Sequence, residues 1–157
     1  MSTAKPEARN PSLARQADLY LDSHHEEFLE LGGLLFKNFP PDRDKISAQV
    51  RNLEHIAVSV TRFADIEDFV KNQMGRESQN LKPWREVGQA VLDLLGTLRN
   101  VRVLRPGGTA EDDASPEDQL EFRLRLARGW ARAVVSEYLY QLARGKIQEQ
   151  GRKDERA

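Results

Sequence analysis

Apolar side chains recur along this chain at intervals of three and four residues, the spacing of one face of an α-helix, in four blocks separated by proline and glycine. In the first block Leu13, Ala17, Tyr20, His24, Phe28, Leu31 and Leu35 form the stripe, and Ser12, just after Pro11, stands at the N-cap position. Gly32-Gly33 weakens the helix by about 1 kcal/mol per glycine relative to alanine. Close packing and a frayed last turn both account for the pair. Phe39-Pro40-Pro41-Asp42 stops the block.

The second block places Ile46, Val50, Leu53, Ala57, Val60 and Ala64 on a near-heptad seam. It continues through Ile66, Phe69, Val70 and Met74 to Gly75. One long helix, or a pair broken near Ala64 and Asp65, fits this spacing. After a polar linker, Gly75–Leu81, Pro83 suits the first turn of a third helix with Trp84, Val87, Val91, Leu94, Leu95 and Leu98 inward. Val101, Val103 and Leu104 extend it or form a short extended tail, and Pro106-Gly107-Gly108 ends the block.

Thr109–Asp118, with Glu111, Asp112, Asp113, Glu117 and Asp118, reads as an acidic, flexible loop. Ser115-Pro116-Glu117-Asp118 then supplies a cap, a first-turn proline and acids at the positive end of a helix dipole. Leu120, Leu124, Ala127, Ala131, Val134, Tyr138 and Leu142 make the stripe of this fourth helix, widened by Phe122, Leu126 and Trp130. The pattern predicts an all-α bundle of four main helices. Residues 1–11 are expected to be a flexible segment, 12–147 a single domain and 148–157 a flexible polar tail.

Composition narrows the chemistry. A chain of 157 residues fits one domain with its own core. The absence of cysteine excludes a disulfide framework, thiolate zinc and iron–sulfur sites and a thiol nucleophile. The longest apolar runs, such as Leu34–Phe36, fall far short of the roughly 18–20 residues that span a bilayer. Met1–Ser12 has no apolar segment behind its charges. A cytoplasmic protein without membrane partners is expected.

Catalytic constellations are not legible. Asp22-x-x-His25 approximates half of a di-iron carboxylate motif, whereas Asn52-x-x-His55 lacks the acid, and adjacent His24 and His25 point about 100° apart on a helix. No glycine-flanked serine elbow or phosphate-binding glycine loop occurs. The paired acids Glu26-Glu27 and Asp112-Asp113 lie in charge-rich stretches where carboxylates are solvated. The expectation is a non-enzyme without catalytic residues, metal or cofactor.

Charge is balanced overall but separated along the chain. With 24 Lys and Arg against 25 Asp and Glu, the formal net charge is -1. Between Asp18 and Glu30, however, five acids occur without a lysine or arginine. Bases gather from Arg99 to Arg105 and again at Arg123, Arg125, Arg128 and Arg132. Helical spacing puts Arg125, Arg128 and Arg132 on one side of the fourth helix, with Arg123 partly beside them. Arg51, His55 and Arg62 fall opposite the second-block seam. Guanidinium groups bond phosphate oxygens in pairs without reading sequence. Ion pairing with Glu121 and Glu137 is the plainer use of the same bases. Oppositely charged helices on one chain also suit head-to-tail association.

The entry to the second block, Lys45-Ile46-Ser47-Ala48-Gln49-Val50-Arg51-Asn52-Leu53, resembles the Ser/Thr-x-Gln-Ile-Arg helix start of the small helical subunit of type III CRISPR effector complexes. Gln49 and Arg51 match that motif, with Ser47 as helix cap. Phe63–Gly75, Trp84–Leu98 and Ala127-Arg128-Gly129-Trp130 carry no motif of the family. The resemblance implies a non-catalytic subunit that stacks beside larger effector subunits and further copies of itself, against the backbones of guide RNA and target strand. Gln49, Arg51, Arg62, Arg125, Arg128 and Arg132 are the expected nucleic-acid-binding residues. A helical protein-interaction scaffold without a nucleic-acid role is the competing expectation.

Overall fold

Six α-helices follow one another among the residues that the computed structural model describes, which are 8–39, 44–76, 82–109 and 112–156, with backbone alone at 44–47 and 82. They are α1 (Leu13–Ser23), α2 (His25–Asn38), α3 (Asp44–Ser59), α4 (Phe63–Gly75), α5 (Lys82–Arg99) and α6 (Pro116–Arg156). The all-α expectation holds, but two of the four blocks are broken. The first breaks at His24 (φ -109°, ψ 12°), where local side chains compete for the last carbonyls of α1. Ser23 Oγ donates to the Leu19 carbonyl at 2.7 Å, and His24 Nδ1 donates to the Tyr20 carbonyl at 2.9 Å. The imidazole also stacks on Tyr20 with centroids 3.9 Å apart.

The second break spans Val60–Arg62, and α4 restarts from an extended Arg62 whose guanidinium pairs with Asp65 at 3.3 Å. Of the two spacings that block allowed, the broken pair is the one adopted. The proposed stop at Pro40–Asp42 and the linker residues 77–81 lie outside the described residues.

Both predicted serine caps form. Ser12 Oγ accepts from the Arg15 N–H at 3.1 Å, and Ser115 Oγ accepts from the Asp118 N–H at 3.2 Å. Ser47 does not cap α3, because that helix begins at Asp44 and carries Ser47 in its first turn.

The segment between α5 and α6 is tied down where a flexible loop was expected. Leu104 and Asp113 form an isolated antiparallel bridge, Ala114 is buried, and residues 116–118 already belong to α6. Asn10, expected to lie in a flexible N-terminal segment, clamps this turn. Its side-chain amide donates to the Arg105 and Thr109 carbonyls at 3.2 and 2.6 Å, and its backbone exchanges bonds with Gly107 and Gly108. Gln16 adds both halves of its amide to the Leu104 backbone, each at 3.0 Å. Residues 1–7 lie outside the described residues. At the other end α6 runs through residues 148–156, the expected flexible tail, with every one of those side chains exposed.

The core is built around α6. Phe122, Leu126, Trp130, Val134 and Tyr138 are buried on one side of it, and Leu124, Ala127, Ala131, Val135 and Leu142 continue the burial around the circumference. Each large apolar side chain taken fully from water contributes about 1.5–3 kcal/mol. Beside it, Trp84 of α5 meets Phe39 and Phe69 edge-on at 5.3 and 6.0 Å, joining the end of α2 to α4 and α5.

The glycine pair of α2 is a packing device. A Cβ at Gly32 would lie 2.7 Å from Glu137 Cβ and 2.8 Å from the Val134 carbonyl oxygen of α6, neither of which has a flexible end to yield. The nearest group to a Cβ at Gly33 is the Gln141 amide, 3.6 Å away. Gly32→Ala should therefore lower stability by about 1–3 kcal/mol through overpacking. Gly33→Ala should leave stability unchanged or raise it by up to about 1 kcal/mol through helix propensity. Urea unfolding of the two variants separates these outcomes.

Burial pushes the Tyr138 phenol above its ordinary 10.0, an effect that the nearby Arg51 charge partly offsets. Its hydroxyl donates a long bond, 3.4 Å, to the Phe39 carbonyl. The folded chain thus keeps this proton to higher pH than the unfolded chain, and stability falls as pH rises past the ordinary value. Tyr20 shifts the same way through burial, then through Glu27. Tyr138→Phe should lose less stability than the parent between about pH 9 and 11, measured by denaturant unfolding across that range.

Candidate nucleic-acid interface

The stripe of α6 opposite its buried face carries Arg125, Arg128 and Arg132, related by steps of three and four residues and so neighbours on the helix surface. Packing decides that they emerge together. Phe122 and Leu126 on one flank and Leu124 and Ala131 on the other are buried, which leaves this strip outward.

Helix α1 runs alongside. Leu13 and Ala17 are buried, and Leu21 fills the space that a side chain at Gly129 would need. The result is a groove of about 340 Å³, floored by Ala17, Leu21 and Gly129 and lined by the three arginines, with Asp18 on its α1 side.

The arginines are sparsely engaged within the protein. Arg125 meets Glu121 at 3.7 Å, with both side chains about half exposed, so the pair is weak and readily screened. No ion pair joins Arg128 or Arg132 to a carboxylate among the described residues. Arg128 is half-buried, and its Nε makes no hydrogen bond with any described protein group. Donors in that state favour an acceptor that arrives from outside.

A second groove of about 490 Å³ shares Gly129 and Arg132 with the first and extends to His25, Leu29, Ser136 and Tyr140. Glu137 lines it too, but its carboxylate accepts from the Gln141 amide at 3.0 Å. Sequence reasoning passed over Tyr140 and Gly129. Their signal was the row Arg128, Arg132, Ser136, Tyr140 at constant four-residue spacing, beside one small residue in mid-helix.

The other expected binding residues lie elsewhere. Gln49 is half-buried and Arg51 exposed on α3, the helix that turns Val50, Leu53 and Ala57 inward, and neither lines the α1–α6 groove. Arg62 does not share a helix face with Arg51 and His55. It lies beyond the end of α3, at the N-cap of α4, and pairs with Asp65.

Arg123 is not beside the three groove arginines either. It is half-buried across the helix and donates to Gln119 at 3.3 Å. Two bases of the Arg99–Arg105 stretch are used internally. Arg99 pairs with Glu67 and lies 5.6 Å over the Phe63 ring, while Arg102 meets Asp113 at 2.9 Å. Among the described residues no three His, Asp or Glu side chains gather as a metal site would require. No described helix is long and apolar enough to cross a membrane.

Compared with known protein families, curated proteins and solved structures, the chain gives no match. The groove therefore has to be judged by its own chemistry. Because the three arginines share one weak ion pair and only Arg128 is half-buried, replacing all three by glutamine should change unfolding stability by less than about 1 kcal/mol. A two-state urea titration with unchanged helical circular dichroism is the check.

Proposed function

We propose that the protein is a non-catalytic subunit that holds a nucleic-acid backbone in the α1–α6 groove, and that it serves as the small helical subunit of a type III CRISPR RNA-guided complex. The carrying observation is the convergence of Arg125, Arg128 and Arg132 on one groove with a single weak ion pair among them. Phosphate oxygens suit such a row, since each guanidinium presents paired donors and reads no base.

The CRISPR assignment rests on the start of α3, where Gln49 and Arg51 follow the family pattern and Val50 and Leu53 are buried between and after them. In that setting Gln49, Arg51 and Arg62 meet the strand or a neighbouring subunit away from the groove. Larger effector subunits and further copies of this chain are its partners.

A helical interaction scaffold is the second reading, favoured by one feature of the opposite charge. Between α2 and α5 a groove of about 430 Å³ combines Glu27, Glu30 and Asp93 with Leu34 and Leu94, a lining suited to a basic amphipathic segment.

Salt dependence separates the two readings. Binding of a single-stranded RNA through three phosphate contacts should give a slope of about −2 in log affinity against log salt. Replacing Arg125, Arg128 and Arg132 by glutamine should remove about that slope and most of the affinity at low salt. Fluorescence anisotropy at several salt concentrations measures both. Absence of binding at low salt, or a triple variant that binds as the parent does, rejects the groove as a backbone site.

A further inference from the structure

Among the Phe, Tyr and Trp side chains of the described residues, Tyr140 alone is exposed, at 56%, while the others are buried or partly so. It makes no ring contact with another aromatic. The core gains nothing from it. Its place is nevertheless defined, because it closes the α6 row that begins at Arg128 and Arg132 and passes through Ser136. Each four-residue step advances about 6 Å and turns slightly around the axis, so the row runs obliquely along the helix. Arg132 lines both grooves and joins them, and Tyr140 lines the second together with His25 and Leu29 of α2.

We infer that Tyr140 is a base-stacking platform, and that the ligand of the combined groove is a single strand rather than a duplex. The inference rests on the backbone-binding reading above and adds to it the part of the ligand that the arginines do not touch. Guanidinium groups hold phosphates whether or not bases are attached. An exposed phenol ring offers a face to a base and almost nothing to a phosphate. In a duplex the base faces are already stacked on their neighbours, whereas a single strand anchored at Arg128 and Arg132 has bases free to reach the ring. Positively charged tracks ending on aromatic faces bind single strands without demanding a sequence. Glu137 also lines the second groove, with its carboxylate bonded to the Gln141 amide, so the strand is held there by Arg132 and the ring rather than by a uniformly basic wall.

The test uses the full chain and three end-labelled probes of about twelve nucleotides: oligouridylate, an abasic ribose-phosphate strand of equal charge, and an RNA duplex. The parent protein should bind oligouridylate more tightly than the abasic strand or the duplex at equal salt. Tyr140→Ala should weaken oligouridylate binding about five- to tenfold, leave the abasic strand unaffected and keep the salt slope, while Tyr140→Phe binds as the parent does.

Equal affinity for base-bearing and abasic strands, or no effect of Tyr140→Ala, overturns the platform and leaves the arginine groove standing. So does a Tyr140→Ala variant whose sole change is altered sedimentation of the protein, since the ring then covers a protein contact. Failure of the parent to bind any probe at low salt overturns the platform together with the backbone reading.

Discussion

Burial of α6 between Phe122 and Leu142 dictates where every other helix can lie. Its apolar positions occupy most of the circumference, so no single partner helix can cover them. α1, α2 and α3 pack along its length, and α4 and α5 close the remaining side through the Trp84 cluster. One strip is left in water. Arginine is costly to bury unpaired, so that strip is where Arg125 and Arg132 stand exposed and Arg128 stands half-buried at its margin. The charge row is the complement of the core, fixed by the same helical phase.

The groove needs a second wall, and α1 supplies it through Leu21 against Gly129, while α2, beyond His24, approaches α6 closely at Gly32. The far end of α1 is held as well, because Asn10 and Gln16 bind the turn between α5 and α6 through its backbone. A groove anchored at both ends of its smaller wall loses little conformational freedom when a ligand enters, which favours affinity beyond what its contacts provide.

Much of this was legible in the sequence, and the exceptions share a cause. The apolar stripes, the two serine caps and the grouping of Arg125, Arg128 and Arg132 follow from periodicity, and the buried positions match them except at Leu120, which is exposed, while the side chain of Ile46 lies outside those described. What periodicity misses is set by hydrogen bonds between distant parts of the chain. Asn10 and its partner carbonyls are separated by more than 90 residues, so nothing local marks it as an anchor. The break at His24 coincides with side chains returning to carbonyls four residues back, a bonding pattern that apolar spacing does not register. Arg62 was grouped with Arg51 by assuming one continuous helix, and Arg123 stands two residues from Arg125, about 200° around the helix rather than beside it. Tyr140 escaped notice because its row is continuous only once its two arginines are known to face outward.

Near-neutrality of the whole chain does not oppose an anionic ligand on α6. At physiological salt, charges more than about 8 Å apart are largely screened where they face solvent. A phosphate at Arg128 therefore responds to the arginines one turn away far more than to acids on the remote flank of α2. The acids still act at close range. Asp18 borders the first groove on its α1 side, and Glu26, Glu27 and Glu30 continue the negative charge along α2. None of these carboxylates closes an ion pair with a groove arginine among the described residues, so the bases remain available and the acids repel a strand that strays from them. Attraction along α6 and repulsion from Asp18 on α1 would together define a track for a bound backbone, which a uniformly basic surface would not. On the proposed reading, the separation of charge would confine a backbone to the one row of side chains that leads from Arg128 to Tyr140.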